Sequence, residues 1–344
     1  MPPERAAADA MTADAGAADA ALAAGVREGD RRAIAKAITL LESTRTDHRR
    51  RADALLDSLL PATGRALRIG ISGVPGVGKS TFIETLGMSL VERGHRVAVL
   101  AVDPSSGVSG GSILGDKTRM ERLSTDPRAY IRPTPSSGAL GGVAERTREA
   151  MLVCEAAGYD VVLVETVGVG QSETSVAGMT DLFLLLQLPN AGDDLQAMKK
   201  GIMELADLVV INKSDLDADA ALRAEAQVTS ALRVLRHPGG TRWQTRVLRT
   251  SALSGEGIAA LWDTIEEFRR CREADGGFAD RRRRQSLNWL WDEVHARLLA
   301  DFRAHPAVRT ALPETLAEVE GSRLAPSSGA RRLLDLFEQP SRPS

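Results

Sequence analysis

A glycine-rich segment carries the clearest chemistry in this sequence. Residues 73–80 read Gly-Val-Pro-Gly-Val-Gly-Lys-Ser and fit the phosphate-loop pattern G-x-x-x-x-G-K-[ST]. Its glycines allow backbone N–H groups to converge on phosphate oxygens, Lys79 can reach the β- and γ-phosphates, and Ser80 can offer its hydroxyl to Mg²⁺. The alternative is a glycine-rich turn with an incidental lysine. The predicted nucleotide contacts in this segment are Gly73, Gly76, Val77, Gly78, Lys79, Ser80 and Thr81.

Two later motifs indicate which base the nucleotide carries. Asn212-Lys213-Ser214-Asp215 fits N-K-x-D, and Ser251-Ala252-Leu253 follows the last predicted strand. Asp215 can accept from N1–H and the 2-amino group of guanine together, and a site built around such a pair can reject another base by roughly 10⁴-fold. We expect Asn212 to brace the loops, Lys213 to lie along the base and the Ala252 N–H to meet the base oxygen. The alternative is an ordinary loop followed by a helix cap.

The segment expected to sense the γ-phosphate departs from the common D-x-x-G pattern. Residues 165–168 read Glu-Thr-Val-Gly, so Glu165 stands where aspartate is usual. Glu165 would hold Mg²⁺ through water or position the attacking water, and the Gly168 N–H would donate to the γ-phosphate. Val169 occupies the place of the glutamine that orients water in Ras-like enzymes. Either another residue supplies that function, or basal hydrolysis is slow.

A second carboxylate, Asp103, ends a predicted strand in the sequence Val-Asp-Pro-Ser-Ser. It is a candidate for the Mg²⁺ or water shell, or else a capping aspartate before proline. The glycine-rich segment 107–119 follows and is expected to close over the nucleotide, with Asp116 and Arg119 at its end. Arg119 is a candidate arginine finger in cis, and an exposed helical arginine is the alternative. The loop 189–200 is a further candidate for sensing the nucleotide state.

Alternating apolar and helical segments predict the scaffold that positions these residues. Near-continuous apolar strands separated by helices indicate an α/β P-loop NTPase fold, with a doubly wound, mostly parallel sheet and the ligand at the carboxyl ends of its strands. The predicted strands are 67–72, 97–102, 129–132, 161–165, 182–188, 208–211 and 247–250.

Composition changes along the chain predict four regions. Residues 1–28 form an Ala-rich tail expected to be disordered, and 29–62 a helical extension whose first helix is capped by Asp30. Residues 63–273 form the GTPase domain, and 274–344 a C-terminal helical region. There, apolar residues recur at helical spacing from Leu287 to Phe302, which indicates a dimerisation arm or a helix packed on its own domain. The arginine run 281–284 is expected to be a solvated face.

Charge and cysteine usage narrow the function classes. The 344 residues carry a formal net charge of −2, from 44 basic and 46 acidic side chains, which favours neither nucleic acid nor anionic membrane as a partner. No apolar run approaches the length that spans a bilayer. The two isolated cysteines, Cys154 and Cys271, suit a reducing cytosol. We therefore predict a cytoplasmic location, with no nucleic-acid or membrane partner.

Four segments together resemble one known family. The phosphate loop, Val-Asp-Pro-Ser-Ser, Gly-Asp-Lys-Thr-Arg-Met and Glu-Thr-Val-Gly-Val-Gly-Gln-Ser-Glu are similar to those of the MeaB/ArgK family, G proteins associated with methylmalonyl-CoA mutase. The resemblance covers roughly residue 31 to the C-terminus. It implies a homodimeric GTPase that uses GTP/GDP and Mg²⁺. It also implies a chaperone that binds an adenosylcobalamin-dependent acyl-CoA mutase, gates cofactor loading, and protects or reactivates the mutase.

The resemblance also implies roles for particular residues. It suggests switch functions for Asp103, Asp116, Arg119 and Glu165, and a third switch, facing the mutase, in the loop 188–199. The resemblance also places nucleotide contacts on residues 76–81, on residues 212–215 and on Ser251, Ala252 and Leu253.

Three other functions stay open at this point. A nickel-insertion GTPase also uses glutamate in this switch, but the five histidines and two cysteines show no C-x-x-C or H-x-x-x-H spacing. A kinase acting on transport proteins would need a base to position its substrate, and no separate candidate is evident. A nucleotide-locked scaffold without useful turnover would fit Val169.

Overall fold

A parallel seven-stranded sheet forms the centre of the fold. The computed structural model describes residues 16–43, 45–103, 120–135, 140–166, 172–189, 200–234 and 243–338. The strand order is β3-β2-β4-β1-β5-β6-β7, and every pair of neighbours is parallel. The strands are β1 Leu67–Gly73, β2 Val97–Asp103, β3 Ala129–Pro135, β4 Val161–Thr166, β5 Leu182–Gln187, β6 Leu208–Ile211 and β7 Arg246–Arg249. The predicted strands and parallel α/β fold are confirmed.

Helices connect the strands and cover both faces of the sheet, so β1, β4, β5 and β6 are buried along their whole lengths. The helices preceding and within the sheet domain are α1 16–27, α2 Arg31–Leu41, α3 Thr46–Leu59, α4 Lys79–Glu92, α5 Glu121–Thr125, α6 Leu140–Ala156, α7 Ser172–Ala177, α8 Lys200–Leu205, α9 Ala218–Val234 and α10 Ile258–Ala274. Those that follow are α11 Gly277–Ala304, α12 Pro306–Glu320 and α13 Pro326–Glu338. Among the described helices, none is both long and apolar enough to cross a membrane.

The N-terminal extension packs onto the sheet domain through α2, α3 and α6. Asp30 caps α2 as predicted, since its carboxylate accepts from the N–H groups of Arg32 and Ala33. The predicted disorder of the whole 1–28 segment is wrong for its second half. Residues 16–27 form α1, in which Ala23 and Val26 are buried, because small side chains allow close packing even in an Ala-rich helix. Residues 1–15 lie outside the described part.

The arginine run at the start of α11 is not a uniform solvated face. Arg281 pairs with Asp207 at 3.0 Å, and the Arg282 Nε lies 2.7 Å from Asp181. Both aspartates immediately precede buried strands, at the end of the sheet opposite the predicted nucleotide site. The prediction failed because these carboxylates are remote in sequence, and only the sheet topology brings them to the run. Arg283 does match the predicted solvated face, because its side chain is 70% exposed.

The chain divides into two compact units, Met1–Gln285 and Ser286–Ser344. The boundary expected after residue 273 lies near the end of α10 at Ala274, and the first unit continues past it to Gln285. Gln285 explains the shift, because its side-chain amide is buried and donates to the Thr180 carbonyl at 2.9 Å. In the second unit α12 and α13 pack together, and the Phe302 ring of α11 lies with its centroid 5.4 Å from that of Phe337 on α13.

A buried ion pair between β1 and α6 allows a prediction about stability. Arg68 Nε contacts Glu155, and their side chains are only 6% and 1% exposed. Replacing Arg68 by methionine leaves a buried carboxylate without its cation, so we expect the free energy of unfolding to fall by about 3 to 5 kcal/mol. Urea titration measures this loss. Arg283→Met, at an exposed ion pair, is the control and should change little. An equally small effect at Arg68 would show that the pair contributes nothing.

Cys154 gives a prediction about reactivity. Its side chain is fully buried, and burial raises the pKa of the thiol to about 12. The thiolate is the reactive form, so at pH 8 iodoacetamide should leave Cys154 unmodified in the folded protein and label it in guanidinium chloride. Peptide mass analysis distinguishes the two states. Rapid labelling of native Cys154 would contradict its placement in the core.

Candidate functional site

The phosphate loop joins β1 to α4, as the sequence predicted. Gly73 ends the strand with φ +156°, where a Cβ would lie 2.6 Å from the Leu186 carbonyl oxygen. Gly78 precedes the helix with φ +94°, and a Cβ there would lie 3.0 Å from the Asn212 amide nitrogen. A side chain at either position would be strained and crowded. These glycines therefore allow the loop to approach both β5 and the 212–215 segment.

Lys79 turns back over the loop that precedes it. Its Nζ donates to the Gly73 carbonyl at 2.7 Å and contacts the Val74 carbonyl at 3.4 Å. Burial lowers the pKa of Lys79, while the charges of Glu165 and Glu173 oppose that shift. Exchanging neutral carbonyl partners for phosphate oxygens would give this cation stronger, charge-assisted hydrogen bonds. Glu173, a buried carboxylate that the sequence analysis did not single out, contributes to the same electrostatic environment.

Ser80 and Glu165 meet beside the loop. The Ser80 Oγ donates to Glu165 Oε1 at 3.3 Å, and Glu165 is only 5% exposed. Strand register explains the contact, because Glu165 on β4 is the neighbour of Ile71 on β1, just before the loop. A hydroxyl and a carboxylate supply the hard oxygen donors that Mg²⁺ prefers. The residues present therefore fit the predicted cation.

A pair of hydroxyls that the sequence analysis missed fixes the same strand ends. Thr166 Oγ1 donates to Ser72 Oγ at 2.9 Å, and both residues are fully buried. Ser72 directly precedes the phosphate loop, and Thr166 directly follows Glu165. The bond therefore holds the carboxyl end of β4 beside the start of the phosphate loop. The sequence feature that could have indicated this pair is a hydroxyl residue near the carboxyl end of each of two apolar strands.

Asn212 connects three loops. Its Nδ2 donates to the Val77 carbonyl at 2.9 Å, and its Oδ1 accepts from the Ala252 N–H at 3.0 Å and the Thr250 hydroxyl at 3.3 Å. The side chain is buried, so its polar atoms need these partners. The geometry has the bracing arrangement predicted for Asn212, and it joins the base-reading loops to the phosphate loop.

The other residues predicted to read the base differ from one another in backbone conformation and exposure. Lys213 has the positive φ of +60°, uncommon for a lysine, and Asp215 is exposed. The Ala252 N–H donates to Asn212 Oδ1 at 3.0 Å, and its contact with the base oxygen stays a prediction. Ser251 is buried, and the Leu253 side chain is 83% exposed.

Several predicted switch residues lie outside the described part of the chain. These are Asp116, Arg119, Gly168, and most of the loops 107–119 and 189–200. Asp103 is described by its backbone, which pairs with Pro135 at the carboxyl end of β2. The strand β4 lies between β2 and β1, so the end of β2 is not directly beside the phosphate loop. Asp103 is therefore next to the β4 end that carries Glu165.

Glu84 on α4 binds the start of α5, the helix that follows the segment 107–119 in sequence. Its carboxylate on α4 accepts from the N–H groups of Arg122 at 2.8 Å and Leu123 at 3.3 Å. These N–H groups belong to α5, which resumes the described chain after residues 104–119. The helix that starts at the phosphate loop thus also binds the first turn of α5. Nothing in the sequence singled out Glu84.

Comparisons with known proteins indicate the family to which the chain belongs. The family model described as methylmalonyl Co-A mutase-associated GTPase MeaB matches residues 34–307. The GTPase ArgK of Escherichia coli is 48% identical over 314 residues, covering 91% of this chain and 95% of its own. The mouse mitochondrial methylmalonic aciduria type A homolog is 49% identical over 325 residues, covering 91% of this chain and 78% of its own.

A solved structure gives the same result for the fold. It is described as an LAO/AO transport system kinase, and it superposes with a TM-score of 0.75 at 40% identity, covering 94% of this chain and 98% of its own. Together with the family model and the two relatives, this establishes that the chain is a P-loop GTPase of the MeaB family, the GTPases associated with methylmalonyl-CoA mutase.

Proposed function

We propose that this GTPase is a chaperone of an adenosylcobalamin-dependent methylmalonyl-CoA mutase, gating cofactor loading and protecting or reactivating the mutase. The observation that carries the proposal is the family match over residues 34–307, which includes the phosphate loop, the glutamate-containing switch and the base-reading motif. The name of the mouse relative, which refers to methylmalonic aciduria, supports the same metabolic connection.

The described residues support a mechanism based on positioning and charge. Lys79 and the loop N–H groups would bind the β- and γ-phosphates and stabilise the charge that develops during transfer to water. Mg²⁺, held by Ser80, Glu165 and Asp103, would neutralise phosphate charge when bound. Glu165 would also orient the attacking water. Arg119 and Asp116 would complete the site, and Gly168 would report the γ-phosphate.

The anchors around the switch segments support coupling to a partner. Thr166 is tied to Ser72, and α5 is tied to Glu84. Two elements adjacent in sequence to the segments predicted to respond to the γ-phosphate, the end of β4 and the start of α5, are thus bonded to Ser72 and to α4. A tenfold change in mutase affinity requires GTP and GDP states that differ by about 1.4 kcal/mol in binding it. Ordering of these segments by phosphate contacts would supply such a difference.

The proposal is tested by measuring mutase affinity in two nucleotide states. The chain, loaded with a nonhydrolysable GTP analogue or with GDP, is titrated against apo- and holo-mutase. We expect affinities that differ by tenfold or more between nucleotides, and a different preference for the two mutase forms. Equal affinity in all four combinations, or no binding, would contradict the chaperone function while leaving the GTPase activity intact.

We also propose that the chain is a homodimer through the predicted arm. On α11, Leu287, Trp291 and Leu298 are each more than half exposed and recur at helical spacing. They line about 17 Å of one helix face, a length suited to the same face of a second copy.

Disrupting this face should separate the dimer. We expect Leu298→Lys to give monomers in light-scattering measurements, because the charge would be buried in an apolar interface. Ala300→Lys, exposed on the opposite side of the helix, should remain dimeric. Dimers from both variants, or monomers from the unchanged chain, would contradict this interface.

Three alternatives have direct tests. A nickel metallochaperone needs ligands, and the described residues contain no group of three His, Cys, Asp or Glu side chains able to hold a metal. Stoichiometric, submicromolar Ni²⁺ binding would favour the nickel metallochaperone. A kinase acting on transport proteins would transfer labelled γ-phosphate to protein; the solved relative is described as a transport system kinase. A scaffold without turnover would retain GTP in a single-turnover assay.

We place the protein in the cytoplasm, without nucleic-acid or membrane partners. Near-neutral net charge and free cysteines support this proposal. Fractionation of the source cells would test the location.

A further inference from the structure

Thr85 lies outside the nucleotide-binding motifs but makes a hydrogen bond to one of them. It lies in α4, and its Oγ1 is 2.6 Å from the Ala252 carbonyl oxygen, in the loop after β7. The same hydroxyl is 3.0 Å from the Thr81 carbonyl, the usual acceptor for a threonine one helical turn later. A hydroxyl has one proton to donate, and the shorter contact is the one to Ala252. Thr85 therefore bonds outside its own helix.

The backbone of Ala252 is thus hydrogen-bonded through both its carbonyl and its N–H group. Asn212 accepts from the Ala252 N–H at 3.0 Å, so the peptide groups on both sides of this residue are fixed. Both partners are also linked to the phosphate loop: Asn212 bonds to the Val77 carbonyl, and Thr85 stands on the helix that begins at Lys79. The position of the Ser251–Leu253 loop is thus set relative to the phosphate loop along two separate routes.

A nucleotide must span the same two places. Its phosphates bind at the phosphate loop and its base lies between the loops carrying Asp215 and Ser251–Leu253. We propose that Thr85 is a positioning residue for guanine recognition, which holds the Ser251–Leu253 loop at the separation from the phosphate loop that a guanine nucleotide requires. This inference rests on the guanine site assigned above. Thr85 acts through the Ala252 carbonyl and does not itself need to touch the nucleotide.

The test compares nucleotide affinities of hydroxyl variants. Thr85→Val keeps the branched shape and removes the donor, and Thr85→Ser keeps the donor. Affinities for GDP and ADP are measured by displacement of a fluorescent guanine nucleotide. We expect Thr85→Val to weaken GDP roughly two- to tenfold, the usual effect of one hydrogen bond, with ADP unchanged. Thr85→Ser should keep the unmodified GDP affinity.

Matched variants separate this role from general damage. Thr264 on α10 makes the same within-helix bond, to Ala260 at 2.8 Å, and Thr264→Val should leave the GDP-to-ADP ratio unchanged. Asp215→Asn, run in parallel, tests the underlying site: retained guanine preference there would reject the site itself. Loss of preference in Asp215→Asn but not in Thr85→Val would reject only the role of Thr85.

Two further outcomes would overturn the inference. Equal weakening of GDP and ADP by Thr85→Val would indicate a distorted phosphate loop, and unchanged affinity for both would indicate no role. If Thr85→Val does not fold, as judged by thermal melting, the comparison of Thr85→Ala with Thr85→Ser applies the same criterion.

Discussion

Replacing Lys79 by alanine is expected to weaken GTP and GDP binding by about 10²-fold and to abolish measurable hydrolysis. The lysine lies over the phosphate loop, with its Nζ 2.7 Å from the Gly73 carbonyl, and it supplies the cation that the phosphates would meet. Loss of a charge-assisted bond costs about 1.5 to 3 kcal/mol, and transfer to water requires the same charge in its transition state.

Titration calorimetry measures the binding loss, and phosphate release measures turnover. Lys36→Ala is the control, since Lys36 is an exposed lysine on α2, remote from the phosphate loop in sequence. It removes the same charge from the protein and should leave affinity unchanged. Normal GTP affinity in Lys79→Ala would overturn the assignment of the phosphate site.

Replacing Asp215 by asparagine is expected to reverse the base preference. Guanine offers two donors, N1–H and the 2-amino group, to a carboxylate. Xanthine offers N1–H and a 2-oxo acceptor, which suit the mixed donor and acceptor of an amide. We expect preference for GDP over XDP to fall by roughly 10³-fold or more, because unpaired groups in such a site strongly reject the wrong base.

Competition between GDP and XDP measures the change. Asp219→Asn, at an exposed aspartate in the first turn of α9, is the control and should retain guanine preference. A preference for GDP that survives in Asp215→Asn would show that another group reads the base.

The sequence predicted the strands and motifs because both depend on local patterns. Apolar runs bounded by glycine or polar residues indicated each strand, and the strand-loop-helix context located Lys79 and Ser80. The strand order, in which β4 separates β1 from β2, could not be obtained in this way. That order determines that Glu165 meets Ser80 and that β2, which ends at Asp103, pairs with the strand carrying Glu165.

The side chains that the sequence analysis missed share a physical reason. Thr85, Glu84 and the Ser72–Thr166 pair use common residue types whose partners lie far along the chain. Nothing local distinguishes them from surface threonines or glutamates. The arginine run failed for the same reason, since Asp181 and Asp207 become its partners only after the sheet forms.

GTP turnover by the purified chain, alone and with adenosylcobalamin-dependent methylmalonyl-CoA mutase from the same source, tests the central claim most directly. Slow basal hydrolysis is expected, since Val169 stands where Ras-like enzymes carry the glutamine that orients water, and hydrolysis should rise when the mutase binds. Hydrolysis that is unchanged at saturating mutase would contradict a GTPase cycle that responds to this partner.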